Sequence, residues 1–262
     1  MMRFSLFVVM TALAVSPASA TPGGPFTAIG NGESFTYRVA WGIFPTAGEI
    51  VISGRDDVEN GIPILRVATT TESKGLARAF FDYENQGEIL IEKATGRILL
   101  AREKGGDGKN ASDSATTFDY AKGTATHVNQ ARPSRNRTFE LPAGDVIDLI
   151  SCLIQTRTWE VKPGDKRNAV VYFVRDIYPV TLTAEAYEKL TTPLGTFKTL
   201  RLVPRMEQNP KGVFKRGGDV KVWVAQEGGR LPVRMKLRLN FGAATLTLLK
   251  YTPPTSEKPE VK

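Results

Sequence analysis

The sequence predicts a mainly β protein, an antiparallel, strongly curved or open barrel-like sheet with one buried helix near residues 145–158. Three observations lead there. Short runs alternating apolar and polar residues recur at near-regular spacing, and Gly, Asn, Asp or Pro punctuates them. One stretch breaks the alternation with side chains that are apolar all round.

The chain opens with Met1-Met2-Arg3, an apolar run from Phe4 to Val15, a break at Pro17 and the small-x-small pattern Ala18-Ser19-Ala20. These are the parts of a cleavable secretory signal, so residues 1–20 are expected to be removed. A retained anchoring helix would need roughly 18 or more apolar residues, and this run stops short. No Cys follows it to carry a lipid anchor, so a periplasmic chain is expected. Residues 21–32, rich in Gly, Pro and Thr, read as a flexible lead-in. Residues 33–251 read as a single β-rich domain, and 252–262 as a disordered tail.

Within the domain, Phe35, Tyr37, Val39 and Trp41 share one face of a strand by period-two alternation. Similar runs follow at 47–53, 62–72, 86–92, 97–103, 115–120, 124–129 and 135–141, separated by turn signals such as Glu59-Asn60-Gly61 and Ala94-Thr95-Gly96. Residues 73–81 suggest a brief helical turn whose Phe80 and Phe81 plug the core. Asp145 to Gln155 reads as the helix, with Asp145 as N-cap and Asp148 adding favourable charge to the first turn. Strands resume at 167–175, 179–189, 196–204, 219–225, 231–241 and 243–251. In the strand at 219–225, Trp223 is expected in the core and Lys221 outside.

Composition narrows the chemistry. The net charge is +8, about +7 once the leader and its Arg3 are gone, which favours anionic partners. Secretion makes nucleic acid an improbable target and points to a lipid or other anionic envelope component. Most alternating strands carry charges on the face away from the core, unlike the uniformly apolar outer band of an integral membrane barrel. The single histidine, His127, excludes two-His metal sites. It lies in a polar strand without a companion catalytic motif and reads as a surface imidazole. Cys152 has no partner for an intrachain disulfide and, lying in the apolar helix, is expected to be buried.

Gly106-x-Gly108-x-x-Ala111 formally matches a dinucleotide fingerprint, but loop residues surround it in a run of strands, so it reads as a hairpin loop. Asp107, Asn110 and Asp113 lack the spacing of a calcium loop. Neither a catalytic residue nor a cofactor or metal site is indicated.

The remaining candidates are cations. Arg234, Lys236 and Arg238 alternate with Val233, Met235, Leu237 and Leu239, so they line one strand face over roughly 13 Å. Arg201, Arg205, Lys211, Lys215 and Arg216 could extend the row. It reads as a ligand-binding stripe for anionic groups, or as a solvated outer face that guards against edge pairing.

Thr192-Pro193-Leu194-Gly195-Thr196-Phe197-Lys198-Thr199, Val220-Lys221-Val222-Trp223-Val224 and Arg230-Leu231-Pro232-Val233-Arg234 together carry a resemblance. With the Gly48-Glu49 strand and the helix ending at Lys162-Pro163-Gly164, the chain resembles the bacterial envelope family catalogued as domain of unknown function 3108, over about residues 33–250. The resemblance implies a periplasmic β-rich fold, a twisted open barrel around a helix like that of other envelope-maintenance and lipoprotein-carrier proteins. It implies no catalytic residues.

The expectation is a non-enzymatic envelope protein that binds a hydrophobic or anionic amphipathic, lipid-like ligand in the curved sheet. A structural or interaction module contacting another periplasmic protein is the alternative. A hydrolase would rest on compartment alone.

Overall fold

The computed structural model describes residues 28–255, apart from 108–110, 208, 211–213, 215–219 and 240–241. The expected signal peptide, most of the lead-in and the last seven residues lie outside that range. So do Lys211, Lys215, Arg216 and Asn110.

Among the described residues fifteen strands form one sheet, and the first of them lies in its middle. The first arm runs outward through β1 (Ser34–Trp41), β2 (Phe44–Glu59), β3 (Ile62–Ser73) and β4 (Glu84–Glu92). It continues through β5 (Ile98–Gly106), β6 (Ser112–Asp119), β7 (Thr124–Asn129) and β8 (Arg137–Glu140). The chain then crosses to the opposite edge, β9 (Val146–Asp148), and walks back through β10 (Lys166–Phe173), β11 (Asp176–Thr192) and β12 (Gly195–Arg205). Finally β13 (Val220–Ala225), β14 (Pro232–Leu239) and β15 (Gly242–Thr252) return to the centre, where β15 pairs with β1. Every neighbouring pair is antiparallel except β9 with β10.

Chain length dictates the curvature. Laid flat, fifteen strands would span roughly 65 Å. The link from Glu140 to Val146 reaches only about 20 Å when fully extended. The two edges must therefore face one another. Register shifts at Thr36/Tyr37, Val39/Trp41, Ala184/Ala186 and Trp223/Val224 supply local bends and added twist.

The sheet remains open in its backbone ladder, and side chains close the seam. Tyr172 on β10 and Val146 on β9 pack with Ile98, Ala101, Phe118 and Ala125 of the first arm. Tyr172 meets Phe118 edge-on at 5.2 Å and lies parallel to Phe139 at 6.5 Å. Its hydroxyl lies 2.7 Å from Thr116 Oγ1, which in turn is 2.8 Å from His127 Nδ1. His127 is thus buried, not a surface imidazole, because its strand faces the seam.

The helix is confirmed but starts later than the sequence suggested. Val146 and Ile147, both β-branched, pair with the exposed edge of β10, and α2 spans Leu149–Gln155. Asp148, not Asp145, is the N-cap, with Oδ1 accepting from the backbone N–H of Ile150 at 2.9 Å and Ser151 at 3.1 Å. Asp145 instead accepts from Arg97 Nε at 2.9 Å. Cys152, Leu153 and Ile154 sink into the concave face against Val171, Val180, Leu182, Val222 and Met235. Burial pushes the Cys152 thiol up to about 12, which keeps it protonated.

Trp223 is buried with the core, as expected, and its Nε1 donates to Glu188 Oε2 at 2.8 Å. Two further expectations change. The short helix α1 (Gly75–Phe80) forms as expected, but Phe80 and Phe81 are 71% and 51% exposed and plug nothing. Phe80 and Phe81 meet Phe44 and Trp41 respectively in tilted ring contacts at one end of the sheet. Ala28 and Ile29, from the stretch read as lead-in, are buried in the core, and Thr255 of the expected tail donates its N–H to Asn31 O at 2.8 Å.

Candidate functional site

The two halves of the concave face differ. Under the second arm α2 fills the space, leaving an apolar gap of about 40 Å³ beside Cys152, Leu153 and Phe214. Under the first arm a chamber of about 320 Å³ remains. That is the lower end of the size range of small-molecule sites.

Strand register builds its floor. Thr69 and Thr71 of β3 face Gly87 and Asn85 of β4, and Gly87 faces Glu103 of β5, which faces Ser114 of β6. All point inward, so this patch of the concave face is polar where the rest is aliphatic. Asn85 Nδ2 donates to Glu103 Oε1 at 2.9 Å. A Cβ at Gly87 would come no closer than 3.8 Å to any neighbour. The strand therefore does not require glycine there, and the missing side chain enlarges the chamber.

The far wall comes from α2 and β10. Asp148 contributes to the chamber wall but is only 4% exposed, and its Oδ1 caps α2. Burial raises this carboxyl above the ordinary aspartate range, against the lowering effect of its hydrogen bonds. Tyr172 is fixed by donating its hydroxyl to Val174 O at 2.6 Å, and burial pushes that phenol up to about 12. Val174 has φ of 61°, a left-handed conformation that a β-branched residue rarely adopts. Such strain costs on the order of 1–3 kcal/mol and tends to gather at binding sites.

The chamber opens at the end of the sheet that carries the β1–β2 turn, α1 and the β10–β11 turn. Two exposed apolar side chains line the chamber there, Val174 at 48% and Tyr83 at 36%, while Ile43 and Phe80 are exposed at the same end of the sheet. The opposite end is sealed. There Arg157, in the 3-10 turn Thr156–Thr158 after α2, is held by Glu33, by the carbonyls of Ala28 and Gly229, and by the rings of Phe35 and Tyr251.

Arg234, Lys236 and Arg238 do form a row, but on the convex face, since Met235 and Leu237 between them face α2. Lys221 lies beside Lys236 in register. Arg234 Nη2 donates to Thr191 O at 3.1 Å, and Arg201 is held by Glu185 and Glu188. The sheet thus separates the basic row from the chamber. Elsewhere the convex face carries ion-pair networks, such as Arg66 among Asp57, Glu59 and Glu88. Among the described residues no three His, Cys, Asp or Glu side chains cluster to hold a metal, and no helix is long and apolar enough to cross a membrane.

Among solved structures, the fold is similar to a β-barrel-like protein of domain of unknown function DUF1849 from Brucella abortus. The TM-score is 0.52 at 6% identity, over 87% of this chain and 100% of that one. An exported protein with YmcC-like fold from Bacteroides fragilis aligns with TM-score 0.36 at 8% identity, over 88% of this chain and 99% of the other. A lipoprotein from Parabacteroides distasonis aligns with TM-score 0.31 at 9% identity, over 89% of this chain and 100% of the other. No curated protein matches. A family model covers residues 36–249, nearly the whole sheet, and the chain belongs to that family, described as protein of unknown function (DUF3108).

Proposed function

We propose that this chain is a non-enzymatic binding protein of the bacterial envelope that holds a small amphipathic ligand in the chamber of its first arm. One observation carries the reading: a cavity of about 320 Å³ persists on the concave side of the sheet, with exposed Tyr83 and Val174 in its lining. A polar floor with an apolar mouth suits a molecule with both characters. The secretory leader in the sequence supports the envelope assignment. In this reading Arg234, Lys236 and Arg238 act from the convex side, meeting an anionic envelope surface such as lipid head groups, separately from the chamber.

The test compares organic extracts of the wild-type protein and the Gly87→Leu variant, both purified natively from the periplasm, by mass spectrometry. The expected result is an amphiphile near one per chain in wild type and its loss in the variant. Equal recovery from both would remove the chamber from the account. For the convex row, replacing all three cations by Ser is expected to weaken flotation with anionic vesicles, and unchanged flotation would dismiss that role.

A second reading, an interaction module with no ligand, is favoured by α2, which already occupies the apolar half of the concavity. Empty extracts from wild type, together with crosslinking to a periplasmic protein, would support it.

A further inference from the structure

We infer that the end of the sheet carrying the β1–β2 turn and α1 is a membrane-docking surface, whose Ile43, Leu76 and Phe80 side chains enter the interface of an anionic lipid bilayer. This face is distinct from the convex cationic row, and the inference holds whether or not the chamber takes a ligand.

The helix α1 is built inside out. Ala77 is its buried residue, whereas Leu76 and Phe80, four residues apart and so on one helical face, are 78% and 71% exposed. A surface helix ordinarily turns its large apolar side chains inward. Backbone bonds hold this one the other way. Lys74 N–H donates to Ala47 O at 2.9 Å as the chain leaves β3, and Ser73 N–H donates to Tyr83 O at 2.9 Å where it returns. Between them the Phe81 N–H closes the last turn on Ala77 O at 2.9 Å. The segment is tied at both feet, with Leu76 and Phe80 directed outward.

Ile43 completes the patch. The β1–β2 turn is only Gly42 and Ile43, with Gly42 at φ of 56°, and Ile43 at its tip is 89% exposed. Ring contacts join turn and helix: Trp41 meets Phe81 at 5.4 Å and Phe44 meets Phe80 at 5.9 Å.

Shape and charge identify the occupant. The three side chains project from a turn tip and a short helix instead of lining a groove, which suits a fluid layer that closes around each of them. Trp41 and Tyr83, at the same end, are the residue types that settle at head-group level. Lys74 and Arg78 are engaged by Glu72, Asp82 and Glu84. The charge that meets lipid phosphates therefore comes from neighbouring links at this end. Arg135 between β7 and β8 and Arg175 between β10 and β11 are exposed, and both lie close enough to His127 to act on it electrostatically. Apolar insertion and attraction to anionic head groups reinforce one another in such a contact.

The experiment is flotation of the secreted protein with vesicles of equal parts phosphatidylcholine and phosphatidylglycerol. Wild type is expected to float, and Ile43→Ser/Leu76→Ser/Phe80→Ser to partition roughly tenfold less or weaker. Val58→Ser/Leu194→Ser, which removes exposed apolar groups at the opposite end, is expected to match wild type. Should the triple variant lose its β signal in circular dichroism, Ile43→Ser alone is read and is expected to partition roughly threefold less. A second readout places the contact. Ile43→Cys and Val58→Cys each carry a polarity-sensitive dye, Cys152 being buried, and only the dye at position 43 is expected to shift to the blue with vesicles. Wild type that does not float, a triple variant that floats like wild type, or dyes that respond alike would overturn the inference. Flotation that survives the apolar triple variant but is lost when Arg234, Lys236 and Arg238 are replaced by Ser would overturn it while leaving the convex row in place. Wild type that stays off vesicles and forms a dimer abolished by the triple variant would assign the patch to a second copy, which also overturns it.

Discussion

Arg157 Nη1 lies 2.5 Å from Glu33 Oε1, an ion pair in which the Glu33 side chain is 3% exposed and the arginine 15%. The pair ties the end of the α2 segment to the centre of the sheet, where the chain begins β1 and finishes β15. Tyr251 donates its hydroxyl to the same Glu33 oxygen at 2.6 Å, and the Gly30 N–H donates to the other at 2.8 Å. Burial works against the charge on Arg157, but the Glu33 hydrogen bond and attraction outweigh it and raise its pKa further. Removing one member strands the other charge. Glu33→Ala and Arg157→Ala are each expected to lower stability by about 3–5 kcal/mol, measured by urea unfolding. The Glu33→Leu/Arg157→Met double variant should lose much less than the sum of the singles.

Tyr172 predicts how the seam behaves. Tyr172→Phe keeps the ring packing but leaves Val174 O and Thr116 without that hydroxyl, a loss of about 1–3 kcal/mol. Tyr172→Ala also removes the ring that Phe118 and Phe139 pack against, with an expected cost of about 3–5 kcal/mol. In both variants amide hydrogen exchange should accelerate at the sheet edges, β7–β8 and β9–β10, before the centre. Uniform acceleration would mean that the seam does not hold the edges.

His127 gives a pH dependence whose sign follows from its burial. Burial, reinforced by the charges of Arg175, Arg137 and Arg135, holds its pKa below the ordinary value. The unfolded chain takes up its proton near about 6.5, and the folded protein only at lower pH. Between those values the unfolded state binds more protons. The contribution of neutral His127 is therefore complete above about 6.5 and declines as pH falls toward the folded pKa. The stability difference between wild type and His127→Gln should be constant above neutrality and shrink on acidification below about 6.5. A flat difference across that range would mean that the imidazole is not held neutral.

Asp148 separates capping from charge. Asn caps as well as Asp, and burial disfavours the ionised carboxyl, so Asp148→Asn is expected to leave thermal stability near neutral pH unchanged or higher. Asp148→Ala removes the acceptor from two N–H groups and should cost about 0.5–2 kcal/mol. Equal losses in both variants would point to a requirement for the charge itself.

Most strands were legible because period-two alternation and turn residues are local signals. Strand order was not. Starting mid-sheet and crossing from edge to edge depends on how Tyr172, Phe118 and Val146 fit together, which no local pattern encodes. The three-residue β9 was too short to show a period, so its Val146 and Ile147 read as helix. The basic row at Arg234, Lys236 and Arg238 was legible as a row, but its separation from the concavity emerged only with the closed curve. The chamber was hidden for a related reason: inward Thr69, Asn85 and Glu103 give the same alternation as an outward polar face. Asp148 could be read as a helix-terminal carboxylate, and nothing in the sequence marked it as buried.

The most direct measurement of the central claim is a crystal structure of the protein purified from its own periplasm without detergent or organic solvent. The account predicts density for an elongated molecule in the chamber, between Tyr83 at the mouth and the floor of Thr69, Asn85 and Glu103. A chamber containing ordered water alone would contradict the claim and leave the sheet as a scaffold for protein contacts.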